Sequence, residues 1–269
     1  MKLFVTVAEA TPEAAIDTIR GLRADHDGVE VRIERFGRFD PAAIRAATTK
    51  PIIGTRRGAK QTRGEVQRLL GAGIDLVDVE YGPDLEWIEP FRSQIVLSHH
   101  DFEGMPQLDP VLTAMRAHRC VHTKLAVTPR TLADNLALLS HQAPGTTLIG
   151  MGERGLYSRI LAPFRGSELA FVSPAADRAV APGQISLERA LQIYGPDRAI
   201  LNAGAVFAVA GNPAGHSGSP AIHNPLFREK GVAAAYTIAS VEAFGEIAQA
   251  VLNGTLAGVS VTAPFESGP

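Results

Sequence analysis

Two short apolar runs each carry a group that could do chemistry. Val121-His-Thr-Lys-Leu-Ala-Val127 holds Lys124 at its middle, and Val96-Leu-Ser-His-His-Asp-Phe102 ends in His99 and His100. A lysine inside a strand of small and apolar residues is unusual, because ammonium groups are seldom buried unpaired. Burial and nearby cations would favour its free amine, which attacks carbonyl carbon. The plainer reading is a lysine whose head snorkels to water or meets a carboxylate. Histidine titrates near neutrality, so it can take a proton and return it. A histidine making only structural hydrogen bonds is the competing reading, and residue type does not choose between His99 and His100. Together, an amine on one strand and an imidazole on the neighbouring one equip a site for imine chemistry on a ketone.

Other residues could complete such a site. Glu80, at the end of Leu76–Glu80, could hold an imidazole in one tautomer and stabilise its cation. Arg57 or Arg56, after Ile52–Thr55, adds positive charge suited to a carboxylate. In Met151-Gly-Glu-Arg-Gly-Leu-Tyr-Ser-Arg159, Gly152 and Gly155 would let backbone approach a ligand, and Arg159 could fork onto a carboxylate. In Ala181-Pro-Gly-Gln-Ile-Ser186, Gln184 could bond hydroxyls. Loop flexibility is the plainer account of both stretches.

The elements that must position these groups alternate from the start. Strand patterns at Lys2–Val7, Val29–Ile33, Ile52–Thr55, Leu76–Glu80, Ile95–His99, Cys120–Val127, Thr147–Met151 and Leu169–Val172 are each followed by a helical pattern. The helices are read from Pro12, Pro41, Thr62, Leu85, Asp109, Pro129, Leu156 and Ser186. Thr11 caps the first, with Pro12 at the first helical position. Eight β-then-α units in about 195 residues predict an α/β fold, a closed (β/α)8 TIM barrel, with short loops because ~250 residues is typical. An open doubly wound sheet is the alternative, but no glycine-rich dinucleotide fingerprint follows the first strand. Strand parity supports the barrel. Val29, Val31 and Ile33 share one face and should pack under helices, whereas Glu30, Arg32 and Glu34 share the other. Val77 and Val79 oppose Asp78 and Glu80 in the same way. Charges on the inner face near strand C-termini mark a site.

Composition narrows the class. Of 269 residues, 45% are hydrophobic and 20% charged, with a net charge of −2, as in ordinary globular proteins and unlike nucleic-acid binders. No apolar run approaches the ~18 residues needed to span a membrane. The N-terminus lacks a signal peptide's apolar region and cleavage site. A lone Cys120 excludes an internal disulfide framework, so a cytoplasmic location is expected. Its place in an expected buried strand predicts inert packing.

The combination to about residue 196 resembles the type I 3-dehydroquinate dehydratases. The carriers are Glu30-Val-Arg32, Gly54-Thr-Arg-Arg57, Asp78-Val-Glu80, Ser98-His-His-Asp-Phe102, Lys124-Leu-Ala-Val-Thr-Pro129, Met151-Gly with Ser158-Arg159, and Ala181-Pro-Gly-Gln184. The resemblance implies a cofactor-free and metal-free lyase of the shikimate pathway that dehydrates 3-dehydroquinate. It implies Lys124 as the imine-forming lysine, His100 as acid and base with Glu80 beside it, and Glu30, Arg32, Arg57, Arg159 and Gln184 around the substrate. Val180 stands where the family often has serine, which removes a hydroxyl from that loop. A class I aldolase would share the barrel lysine but not the His-Asp-Phe element. A non-catalytic binding protein or pathway scaffold would not need Lys124, His100 and Glu80 together. Beyond the substrate, a homodimer is the partner allowed for.

Residues 197–205 read as a linker between a barrel at 1–196 and a second unit at 206–269. Strand patterns at Val206–Pro213, Ala235–Ile238 and Val259–Thr262, with helices between them, give a partial β-α-β-α-β segment. Ser219 is the expected cap of the first helix, with Pro220 in its first turn. The segment resembles the start of the shikimate dehydrogenase substrate-binding domain through Gly211-Asn-Pro-Ala-Gly-His-Ser-Gly-Ser-Pro220, Ile222-His-Asn224 and Ser260-Val-Thr-Ala-Pro264. That resemblance implies shikimate contacts from Ser217, Ser219 and Thr262. Two positions depart from it: Ser260 replaces an asparagine, and Glu266 falls where the family has its catalytic lysine. No nicotinamide-binding unit is read in the sequence, so reduction of dehydroshikimate is not expected of this chain alone.

Overall fold

The computed structural model describes residues 1–58, 61–196 and 203–266. The first part runs β1 (Lys2–Val7), α1 (Pro12–Gly21), β2 (Gly28–Arg32), α2 (Pro41–Arg45), β3 (Ile52–Thr55), α3 (Arg63–Gly71) and β4 (Leu76–Glu80). A 3-10 helix (Glu86–Gln94) leads to β5 (Ile95–Asp101), α4 (Leu108–Ala117), β6 (His122–Val127), α5 (Leu132–Ser140), β7 (Thr146–Gly150), α6 (Leu156–Leu161), β8 (Leu169–Val172) and α7 (Leu187–Tyr194). All eight strands are parallel, each β-strand pairs with its successor from β1 to β7, and β8 pairs with β1. This is the expected barrel, closed by strand ladders everywhere except between β7 and β8, which share none among the described residues.

Local chemistry explains the element boundaries. Thr11, Asp40, Thr62, Thr131 and Ser186 each accept a hydrogen bond from a backbone N–H in the first turn of the following helix. Each such cap contributes about 1 kcal/mol. The cap shifts one expected boundary: α5 begins at Leu132 and not at Pro129, because Thr131 and Asp134 form a reciprocal capping box. Pro90 lies within the segment expected as a short helix, which is 3-10, and proline cannot donate to a helical ladder. Cys120 is corrected too. It lies in the loop before β6, half-buried, and burial pushes its thiol up to about 11, so it stays unreactive.

Parity sorts the strand residues as expected. Val29, Val31, Val77, Val79, Leu97 and Leu125 are fully or almost fully buried outside the barrel wall. Each such burial contributes roughly 1.5–3 kcal/mol. Inward positions fall in two layers. Phe4, Ile53, Val96, Ile149 and Phe171 belong to an apolar cluster at the barrel's centre. One step further along the strands, Thr6 is in register with Glu30, Thr55 with Asp78, and Ser98 with Lys124. Glu80, His100 and Ala126 follow towards the mouth.

The second unit contains β9 (Ala205–Gly211), α8 (Ser219–Glu229), β10 (Ala234–Ser240), α9 (Phe244–Leu252) and β11 (Gly258–Val261). Its three strands are parallel in the order β10-β9-β11. Gly218 occupies the cap position of α8, and Ser219 is its first residue. The expected cap instead donates its own N–H to Ser217 Oγ at 3.3 Å. Of the expected linker, residues 197–202 lie outside the described residues. The unit rests on the barrel, with β10 against α6 and α8 against α7.

Candidate active site

The barrel mouth opens on a cavity of about 630 Å³. Lys124, His100, Glu80, Glu30, Arg32, Arg57, Arg159 and Gln184 all line it, so the fold gathers the barrel residues that the resemblance assigns to the site, whereas His99, Gly152 and Gly155 do not line it. Apolar walls come from Phe102, Trp87, Ile149, Met151 and Phe171.

Lys124 is the centre of a charged cage. Its side chain is 5% exposed. Nζ donates to Glu30 Oε1 at 3.0 Å and Asp78 Oδ2 at 3.3 Å, and lies 3.9 Å above the Phe171 ring. Its nearest charged neighbours are therefore carboxylates, and not the cations expected from sequence. Glu30 also accepts from Thr6 Oγ1 at 2.8 Å and Thr55 Oγ1 at 3.1 Å. Burial alone would raise the Glu30 carboxyl, but the Lys124 charge and hydrogen bond reverse this and hold it low. At Asp78 burial again opposes ionisation, and Arg57 and Lys124 overcome it, keeping that carboxyl far below its ordinary range.

Arg57, which lines the cavity, is also engaged by carboxylates of the protein itself. Its guanidinium forks onto Asp78, both contacts at 2.7 Å, and reaches Ser98 Oγ at 3.0 Å and Glu80 Oε2 at 3.2 Å. Burial works against its charge, but Asp78, Glu30 and Glu80 raise its pKa above the ordinary arginine value. It serves as the internal counter-ion of the cage. Arg32 pairs with Glu34 at 2.5 Å, while its buried Nε has no hydrogen-bond partner among the described residues. Arg159 has no carboxylate partner among the described residues; it donates to Gly150 O at 3.2 Å and Pro182 O at 3.4 Å. Burial lowers its pKa to about 10, which leaves it cationic at neutral pH.

The choice between the histidines follows from parity. His100 shares the inward face with Ser98 and lines the cavity, whereas His99 does not line it, lies edge-on to Tyr81 and approaches Glu80 Oε1 only to 3.5 Å. His100 donates its backbone N–H to Glu80 Oε1 at 2.9 Å, and its Nδ1 meets Glu80 Oε2 at 2.8 Å. Burial favours neutral Glu80, but hydrogen bonds from His100 and His99 outweigh it and hold the carboxyl at about 2. An ionised carboxylate only accepts, so Nδ1 carries the proton and Nε2 presents a lone pair. Burial, aided by Arg57 and Lys124, lowers the His100 pKa despite the Glu80 contact. A neutral, oriented imidazole results.

The loop after β8 closes the site's far wall. Gln184 donates to Thr6 Oγ1 at 3.1 Å and accepts from the Val180 N–H at 3.0 Å. The expected glycines bring backbone to backbone, not to a ligand. A Cβ on Gly155 would lie 2.3 Å from the Gly150 carbonyl carbon. Gly152, with φ +74°, donates its N–H to Pro182 O at 3.0 Å.

Sequence reasoning placed Asp78 on the inner face without giving it a role, and it passed over Thr6, Thr55, Ser98 and Gln61. Asp78 had a signal, since it shares a strand face with Glu80. Thr6, Thr55 and Ser98 had only strand parity. Gln61 Nε2, buried at the wall without a partner among the described residues, had none. The structure does not bring Ser217, Ser219 and Thr262 to this cavity. Ser217 Oγ and Ser219 Oγ lie 3.0 Å apart beside the second sheet, and Thr262 follows β11 against Gly211. Among the described residues no group of three or more His, Cys, Asp or Glu is spaced to hold a metal ion, and no helix is long and apolar enough to cross a membrane.

Fold and cage define a parallel α/β-barrel protein equipped for amine–carbonyl chemistry. The family model for type I 3-dehydroquinase matches residues 3–199, and that for the shikimate dehydrogenase substrate-binding domain matches residues 209–267. The chain belongs to the type I 3-dehydroquinase family, joined to a shikimate dehydrogenase substrate-binding segment. The chloroplastic bifunctional 3-dehydroquinate dehydratase/shikimate dehydrogenase of Arabidopsis thaliana is 28% identical, over 97% of this chain and 47% of that protein. The chain thus spans about half the length of that relative. The 3-dehydroquinate dehydratase of Methanothermobacter thermautotrophicus is 29% identical over 72% of this chain and 96% of its own length. The crystal structure of 3-dehydroquinate dehydratase from Geobacillus kaustophilus superposes with a TM-score of 0.61 at 25% identity, covering 72% of this chain and 91% of that one.

Proposed function

We propose that the barrel dehydrates 3-dehydroquinate to 3-dehydroshikimate, with Lys124 as imine-forming nucleophile and His100 as general acid and base. The observation that carries this reading is the single cavity in which Lys124 sits between Glu30 and Asp78 and His100 is held by Glu80. The Lys124 amine adds to the C3 ketone, and water leaves to give an iminium. That cation is stabilised where it forms, between two carboxylates that need no reorganisation. The iminium withdraws electrons, so the C2 proton becomes acidic, and neutral His100 removes it through Nε2. Glu80 stabilises the imidazolium that results. The enamine then expels the C1 hydroxyl as water, with the proton returned by His100. Hydrolysis of the conjugated iminium releases product and regenerates Lys124. Arg159, the Arg32 Nε and the Gln61 amide offer donors for an anionic, hydroxylated substrate.

Borohydride reduction with 3-dehydroquinate, followed by peptide mass spectrometry, tests this. A substrate-mass adduct on Lys124 is expected, and an adduct on another lysine, or none, overturns the assignment. Appearance of the enone absorbance reports turnover in the same samples.

Ser217, Ser219 and Thr262 are proposed as hydroxyl contacts for a shikimate-like ligand, supported by the family match over residues 209–267. Calorimetric titration of shikimate into the wild-type chain and Ser217→Ala checks this. A homodimer and a cytoplasmic location stay with the proposal; light scattering reads the first.

A further inference from the structure

Among the described residues the barrel has one seam without a strand ladder, between β7 and β8, bridged by bonds that involve side chains: Thr147 Oγ1 lies 3.4 Å from Ser167 Oγ, and Gly145 N donates to Glu168 Oε2 at 3.1 Å. A cavity of about 20 Å³ lies there, lined by Thr147, Ile149 and Phe171 among others. Parallel strands hold register through their ladder, so this side of the wall needs another restraint. It is also the side that carries Arg159 on α6 and the Val180–Gln184 loop.

The second unit grips both sides of the seam. After β7, Glu153 Oε1 accepts from Ala214 N at 2.8 Å, Gly215 N at 2.9 Å and Ser240 Oγ at 2.9 Å. Nearby, Thr237 Oγ1 donates to Tyr157 O on α6 at 3.1 Å. After β8, Arg189 of α7 donates to Ser217 O at 2.5 Å, and Arg228 of α8 donates to Ile193 O of α7 at 2.6 Å. Residues 211–218 therefore tie the turn before α6 to the helix after the site loop. From that turn, Gly152 bonds to Pro182 of the site loop, and Arg159 bonds to both Gly150 and Pro182.

We infer that the second unit is a clamp across the open seam, and that Glu153 and Arg189 are positioning residues for Arg159 and the Val180–Gln184 loop. The clamp acts on the dehydratase site proposed above, although neither residue lines the cavity. A carboxylate accepting three donors is a strong local tie, since charge-assisted hydrogen bonds exceed neutral ones.

Hydrogen exchange and steady-state kinetics on the full chain test this with Glu153→Ala, Glu153→Gln and Arg189→Ala. In Glu153→Ala, amides in residues 147–161 and 180–194 should exchange about tenfold faster, as expected for loss of a charge-assisted tie, while β3–β5 stay unchanged. KM for 3-dehydroquinate should rise several-fold with kcat within about twofold, the pattern of lost ground-state positioning. Glu153→Gln keeps an acceptor for the two N–H groups and should restore most of both effects. Arg189→Ala should loosen 180–194 independently and covers the case in which Glu153→Ala does not fold. Unchanged exchange, or uniform acceleration through β3–β5, overturns the clamp. So does loss of kcat with KM unchanged. If the wild-type chain does not turn over dehydroquinate, the proposed activity fails, while the exchange data still decide the clamp.

Discussion

The two units place candidate site groups on or just after parallel strands, yet they make different chemical environments. In the barrel, eight strands turn Glu30, Asp78 and Lys124 towards one axis, where the charges must satisfy each other. In the second unit, three strands leave Ser217, Ser219 and Thr262 only half-buried. Strong pKa shifts need removal from water together with nearby charge. Enclosure therefore decides where carboxylates and an imidazole depart from their ordinary titration, as Asp78, Glu80 and His100 do.

The largest effect should come from Lys124→Ala, which removes the nucleophile. Turnover should fall to background, and borohydride should trap nothing on the protein; retained turnover would erase the contrast between the units. His100→Ala should slow elimination by roughly 10²–10⁴-fold, as for loss of a general acid–base, while Lys124 still forms a trappable imine.

Stability offers a direct comparison of the two regions. Asp78→Ala strands the Arg57 and Lys124 charges and should cost about 3–5 kcal/mol in chemical denaturation. Thr262→Ala should cost less than about 1 kcal/mol, since no buried charge depends on it. Equal costs would mean that the barrel's closure contributes nothing special.

Acid should also distinguish the units. The Glu80 carboxyl is held at about 2, below its ordinary 4.5, so its stabilising effect is fully present above pH 4.5 and is lost as pH falls towards about 2. For catalysis, His100 must be neutral to act as base. With its pKa lowered, the acid limb of kcat/KM should lie below pH 6.5. Glu80→Gln removes a contact that favours the imidazolium, so the limb should move lower still and kcat should fall. An acid limb that moves upward would contradict this wiring. The smallest effect is expected from Val180→Ser, which adds a hydroxyl at the cavity rim. One extra hydrogen bond should lower KM by no more than about tenfold.

Much of the site was legible before any coordinates. Alternation of Val29, Val31 and Ile33 with Glu30, Arg32 and Glu34 reported which strand face was outside and which was in. Motif resemblance favoured His100 over His99, and in the structure His100 shares Ser98's inward parity and lines the cavity. What stayed hidden was relational. Arg57 read as a substrate contact, and the sequence does not reveal that Asp78 occupies its fork at 2.7 Å. Cys120 looked like a strand residue, but β6 starts two positions later, at His122. Gly152 and Gly155 looked like ligand-facing glycines, but other backbone fills the space at Gly155, and Gly152 donates its N–H to Pro182 O.

The sequence by itself determined the element order, the helix starts set by Thr11, Thr62 and Ser186, and the inward parity of the reactive strands. These depend on interactions within a few residues, which a linear pattern records. Only the tertiary structure decided how the charges pair, where the barrel stays unzipped, and what spans that seam. Glu30 meets Lys124 across 94 positions, and Glu153 meets Ser240 across 87. Such contacts depend on where closure brings distant strands, and no local periodicity encodes the distance between two side chains.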